Sequence, residues 1–237
     1  MDKRSLLEAS ATSPVRATVS RSTRGKDLPT ALDEILARCL DGSRAGPAAA
    51  DREALVFGPL FGFQAPETLW RSPDGAVRVL LYREGLEGLT ACVTSGFTNP
   101  EVGKPAFPSK DHRLLGFGYE LVVLCRGDVP VLWRELEGWA RYVLETGNHV
   151  LRGNWLEYRE GLIPNTDLGG FVVVAPATFP DSFPLAGGLG QWNLLLGVTP
   201  AELREAKQLG VVPVAQRLYE SGCRDWSPPR RDSVLVH

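Results

Sequence analysis

The chain has a single methionine, three histidines and four cysteines among its 237 residues. Each scarcity narrows what the protein can do. Cys39, Cys92, Cys125 and Cys223 are scattered and form no C-x-x-C pair. A disulfide framework is not expected, and small buried thiols in a reducing, cytoplasmic compartment fit better. His112, His149 and His237 stand at no metal-ligand spacing from a cysteine or from one another, so neither a structural zinc site nor a cofactor is implied. No apolar run reaches the roughly 18 residues of a membrane-spanning helix. The N-terminus lacks the apolar centre of a secretory signal. Excess charge is lacking too: 28 acidic residues face 26 basic ones, for a net charge of −2. No global field attracts nucleic acid or an anionic membrane.

What is present is an ordinary globular balance, 43% hydrophobic and 23% charged residues, on a chain long enough for one well-packed core. Residues 1–27, rich in Ser, Thr and Arg, read as a disordered polar arm. Leu28, Leu32, Ile35, Leu36, Cys39 and Leu40 then recur on one face of a helix. Short strands are expected at Ala54 to Phe57, Val77 to Tyr82, Leu89 to Thr94, Gly118 to Cys125, Phe171 to Ala175 and Gln191 to Leu196. The nearly continuous apolar run from Tyr119 to Leu124 suits the centre of a sheet covered on both faces. A helix from Val131 to Thr146 follows, with Leu132, Leu136, Trp139, Ala140, Val143 and Leu144 along its stripe. Thr199-Pro200-Ala201-Glu202 predicts a helix start closed by a capping box, with a second helix after Gly210. The economical organisation is a single domain over residues 28–226, followed by a mobile tail over residues 227–237.

Chemistry finds little footing. Ser95 follows a strand, but the G-x-S-x-G pattern of a nucleophile elbow is absent. Asp111 and His112 offer a base with no spacing that ties it to Ser95. Glu120 is an acid inside an apolar strand, and such acids are more often paired or edge-facing than catalytic. The glycines 187, 188 and 190 precede a strand, so they read as a turn and not as a phosphate loop. Aromatics in loop-like sequence remain, among them Phe97, Phe107, Phe117, Trp155, Tyr158, Phe179, Phe183 and Trp192. Most are expected to be pinned inward, and a few to line a recognition groove.

The order of segments is itself informative. Thr94-Ser95-Gly96-Phe97-Thr98, then Gly116-Phe117-Gly118-Tyr119-Glu120-Leu121, resembles the suppressor-of-fused family, as does the helix stretch Trp139-Ala140-Arg141-Tyr142-Val143-Leu144. Leu194 to Leu203, with its Gly-Val-Thr-Pro-x-Glu-Leu core, is similar to a further element of that family. Phe97 stands where the family commonly has Met. The resemblance spans about residues 50–226.

The resemblance implies an α/β (α+β-like) sandwich, a mixed β-sheet flanked by helices. It implies a binding module without catalytic residues. Animal members grip an extended peptide of a transcription factor by strand addition. Bacterial relatives include immunity proteins that neutralise toxins, and this short chain resembles that kind. The expected partner is therefore another protein or extended peptide, a toxin in the immunity reading. The expected contact residues are Phe97, Thr98, Asn99, Trp155, Tyr158 and Arg159. A monomer or weak homodimer is expected. The rival reading is a hydrolase using Ser95 or Glu120.

Overall fold

The computed structural model describes residues 53–235, apart from residues 63, 84, 106–113, 128–129, 159–160 and 186–187. The polar arm, the helix expected at Leu28 to Leu40, and Phe107, Asp111, His112 and Arg159 lie outside the described residues.

A π-helical turn, Glu53–Phe57, runs directly into the short helix α1, Gly58–Phe61. The strands are β1 (Glu67–Arg71), β2 (Arg78–Tyr82), β3 (Thr90–Ser95), β4 (Leu114–Cys125), β5 (Trp155–Glu157), β6 (Gly170–Val174), β7 (Ser182–Leu185) and β8 (Gly188–Val198). Helix α2 (Pro130–Thr146) follows β4, and α3 (Pro200–Leu209) and α4 (Val211–Glu220) follow β8. All the strands join one eight-stranded sheet in the order β1-β2-β3-β4-β8-β6-β5, with β7 on β8 beside that path. Every pairing is antiparallel except the central one, where β4 and β8 run parallel. The mixed sheet with flanking helices is the architecture expected from the sequence.

Side chains alternate between the two faces of a strand, and both faces here are covered. Leu80, Tyr82, Ala91, Val93, Val122, Leu124, Leu194 and Leu196 share one core with Phe57, Phe61, Leu203, Val211 and Leu218. That face carries α1, α3 and α4. The opposite face carries α2, which packs on β2, β3 and β4 through the stripe Leu132, Leu136, Ala140 and Val143. This explains the near-continuous apolar run of β4, buried from Gly116 to Cys125.

Trp192, fully buried on β8, anchors the first core. Its ring lies 4.9 Å from Phe57, 5.1 Å from Phe61 and 4.5 Å from Phe183. Phe179, Phe183 and Trp192, drawn from loop-like sequence, are thus pinned inward.

One expected strand is corrected. Ala54 to Phe57 is helical, because Phe57 and Phe61 stand one turn apart and bring both rings onto Trp192. Gly58 and Pro59 hid that period by reading as a break, although proline suits a helix's first turn. Three strands had no expectation. β1 is an edge with charged ends at Glu67 and Arg71, β5 has three residues, and β7 contains Pro184. Proline is tolerated in β7 because that strand pairs only with β8.

Truncating Trp192 removes the hub of the aromatic cluster. Trp192→Ala is expected to cost about 3–5 kcal/mol. Urea midpoints at fixed m-value check this; a loss below about 1 kcal/mol would contradict the packing.

Candidate functional site

Ser95, Phe97, Thr98, Asn99 and Glu120, among the residues singled out for chemistry or binding, lie at the turn between β3 and β4. Glu120 lies on β4 with no exposed surface. Burying a carboxylate is costly unless donors surround it, and here the turn supplies them. Glu120 accepts from Thr94 Oγ1 at 2.7 Å, Gly96 N at 3.0 Å, Thr98 N at 2.9 Å and Thr98 Oγ1 at 2.7 Å. The Thr94 hydroxyl also accepts from Leu121 N at 2.8 Å. It therefore takes over the β4 amide just where the β3–β4 ladder ends at Val93 and Val122. A hydroxyl can donate and accept at once, so one threonine joins the end of the ladder to the clamp.

The turn requires two glycines. Gly96 has φ +126, and a Cβ there would sit 2.1 Å from the Ala76 carbonyl. Gly116 has φ +57, and its Cβ would sit 2.3 Å from the Phe97 carbonyl. That carbonyl accepts from Phe117 N at 2.6 Å. The backbone passes too close for any side chain, which is why both ends of the motif carry glycine.

Phe97 and Thr98 are fully buried within this clamp. Phe97 meets Phe117 and Tyr119 edge-on at 5.5 Å and 5.8 Å. Neither Phe97 nor Thr98 offers side-chain surface to a partner here; they shape the turn from beneath. Asn99 is half-buried and caps the turn, its side-chain oxygen accepting from Glu101 N at 3.1 Å.

Trp155 and Tyr158 lie elsewhere. Both are half-buried at the β5 edge. β8 and β6 stand between β4 and β5, a separation of roughly 14 Å at ordinary strand spacing. The two groups do not form one patch. Tyr158 OH accepts from Trp139 Nε1 at 2.7 Å, so this tyrosine ties α2 to the end of β5.

Ser95 is buried and donates to Glu53 Oε1 at 2.6 Å, and Glu53 also pairs with Arg78. This cluster secures the π-helical turn against β2 and β3. Ser95 and Glu120, the residues of the hydrolase reading, are both engaged in holding the fold. Among the described residues, no group of His, Cys, Asp and Glu is arranged to hold a metal ion, and no helix is long and apolar enough to cross a membrane.

The sequence reading missed a second buried acid cluster. Glu202 closes the expected capping box, accepting from Thr199 N at 2.9 Å. It is also fully buried and accepts from both guanidinium nitrogens of Arg231 at 2.6 Å and from Val234 N at 2.8 Å. Residues 227–235, within the stretch read from sequence as a mobile tail, thus lie against the domain. Only the capping box was legible, because Arg231 is distant in the chain. A third acid, buried Asp225, accepts from Ala177 N and Thr178 N, both at 2.7 Å.

The fold and its buried acid clamps define a protein whose conspicuous motifs hold its own turns and its C-terminal segment in place. The model of the suppressor of fused protein (SUFU) family matches residues 74–232, more than half of the chain, and the chain belongs to that family. Among solved structures, the Sufu–Fu complex is similar, with a TM-score of 0.59 at 14% identity, covering 81% of this chain and 94% of that one. Drosophila Suppressor of Fused gives a TM-score of 0.52 at 16% identity, covering 67% of this chain and 42% of that one. This chain therefore spans less than half of the Drosophila protein. A SUFU homolog from Neisseria gonorrhoeae FA 1090 gives 0.50 at 12% identity, covering 90% and 100%. At these identities the likeness shows the fold. No curated protein matches the sequence.

The clamp carries two expectations. Glu120→Ala strands several buried donors and is expected to cost at least about 4 kcal/mol; Glu120→Gln keeps the shape and costs less. Urea denaturation of both variants checks the order, and equal stability of Glu120→Ala and the parent would refute the clamp.

Burial tends to raise the Glu202 carboxyl pKa, but hydrogen bonds from Arg231, Thr199 and Val234 outweigh it and hold the value below the usual glutamate range. The resulting stabilisation is complete above the unfolded value and disappears as pH falls through the folded one. Glu202→Gln is expected to be about 1–3 kcal/mol less stable at neutral pH. That gap closes as pH drops below about 4, which urea midpoints across pH will show.

Proposed function

We propose that this chain is a non-catalytic protein-binding module that takes an extended segment of another protein. The observation that carries the reading is the Glu120 clamp. The acid at the heart of the family motif is committed to backbone and hydroxyl donors of its own turn, and so shapes a surface in place of performing proton transfer. Membership in a family with a solved Sufu–Fu complex supports a protein partner. The finer reading is an immunity protein that neutralises a bacterial toxin. The module is taken as one domain over residues 28–226, acting in the cytoplasm.

Of the expected contact residues, Asn99, Trp155 and Tyr158 keep partial exposure. Trp155 is the best anchor, since interface hot spots favour tryptophan. It sits on β5, an end strand of the sheet, where main-chain pairing with an incoming strand is available. The other end strand, β1, shifts register between Thr68 and Trp70 and has charged ends. Those features discourage edge-to-edge pairing and favour a monomer or a weak homodimer.

A pull-down against toxins encoded beside the gene tests the reading. Retention at micromolar concentration is expected, with Trp155→Ala weakening the complex about tenfold or more in protein that circular dichroism shows to be folded. Failure to retain any polypeptide would overturn the binding role. Full affinity in both Trp155→Ala and Asn99→Ala would overturn the assigned surface.

A further inference from the structure

The last described stretch, residues 226–235, has no helix or strand, yet it runs past the carboxyl ends of two strands, touching Arg126 and Gly197. The β4–β8 ladder ends at Val122 and Leu194. β4 continues to Cys125 and β8 to Val198. The carboxyl ends of this parallel pair are thus not joined to each other, and in open α/β sheets that position is the usual ligand crevice. Here the chain's own C-terminal segment occupies it. The Arg126 guanidinium, just after β4, stands 4.9 Å over the Trp226 ring. On the β8 side, Ser227 Oγ donates to the Gly197 carbonyl at 2.6 Å.

The fastening is mostly side-chain chemistry. Arg231 forks onto Glu202, and its amide donates to the Asp167 carboxylate at 3.1 Å. The Pro229 carbonyl accepts from Asp167 N at 3.0 Å. Pro228 and Pro229 lack amide hydrogens, so the segment cannot zip onto β8 as a further strand. Its residues are half-buried or exposed from Trp226 onward. A groove lies between this segment and the end of α4, lined by Ser221, Cys223, Trp226, Pro228, Arg231 and Val234. The strap touches both sides of the crevice, at Arg126 and at Gly197.

We propose that residues 226–235 form an autoinhibitory latch, which must leave Glu202 before an arginine-bearing extended segment of a partner protein can enter the crevice between the carboxyl ends of β4 and β8. The chemistry of the seat selects that occupant. The Glu202 and Asp167 carboxylates and the Gly197 carbonyl are all acceptors, so whatever replaces the strap must bring donors and positive charge. A forked guanidinium meets that demand better than an ammonium. The latch goes beyond the binding role proposed above and rests on the strap's own contacts, so its release can be read without any partner.

Hydrogen exchange measured on the full chain tests it. Glu202→Gln is the informative variant, because glutamine also serves at the third position of a capping box and so leaves the start of α3 intact. Arg231→Ala is the second. Both are expected to speed exchange about tenfold or more in residues 226–235, and at residues 124–126 and 195–198, while β2, β3 and α2 keep parental protection. A synthetic peptide of residues 225–235 added to the Arg231→Ala chain is expected to bind and restore protection. The same peptide with alanine in place of Arg231 is expected not to bind. Unchanged exchange in the strap would overturn the latch. So would a uniform rise across the domain, which would make the strap part of the core, or failure of the parental peptide to bind the released chain.

Discussion

A carboxylate with no exposed surface, placed in the central part of a sheet, can persist only if donors converge on it. Glu120 is that group, and much of the structure follows from satisfying it. The turn after β3 has to fold back so that the Gly96 and Thr98 amides and the Thr94 and Thr98 hydroxyls reach its oxygens. Folding back brings the turn against Ala76 and Gly116, where only glycine leaves room. Phe97 is then carried inward onto Phe117 and Tyr119. Thr94, Gly96, Thr98 and Gly116 of the family motif are thus residues that this one carboxylate requires.

The same solution recurs at other points. Glu202 receives the C-terminal strap, Asp225 receives the amides of Ala177 and Thr178, and Glu53 joins Arg78 to Ser95. Several of these acids serve segments that lack a ladder of their own. Buried amides outside regular structure still need acceptors, and a charged acceptor makes the stronger hydrogen bond. The buried acids are thus spread along the seams of the fold, each beside the loop it fastens, and do not converge on a common centre.

Much of the framework was legible from local pattern. The β4 run showed a sheet covered on both sides, the α2 stripe showed the helix that covers one of them, and Thr199 with Glu202 marked the start of α3 to the residue. These signals are local, so periodicity and capping chemistry suffice to read them. The π-helical turn with α1 was misread, since Gly58 and Pro59 masked the spacing of Phe57 and Phe61. β1 and β5 escaped notice because they are short and largely half-buried or exposed, with little apolar alternation to display, and β7 because it has four residues interrupted by Pro184.

The sequence by itself determined the central strands and the helices that flank them, and it marked Glu120 as an acid out of place. Only the tertiary structure decided what that acid does, because its donors come from the preceding strand and turn and are recognisable only once β3 and β4 are paired. The same holds for Phe97 and Thr98, whose burial separates them from Trp155 at the far edge, and for Glu202 and Arg231, which meet across 29 positions of chain. The physical reason is common to all three cases. Local pattern records the period of a face, whereas a buried charge is satisfied by groups that the fold alone brings within reach.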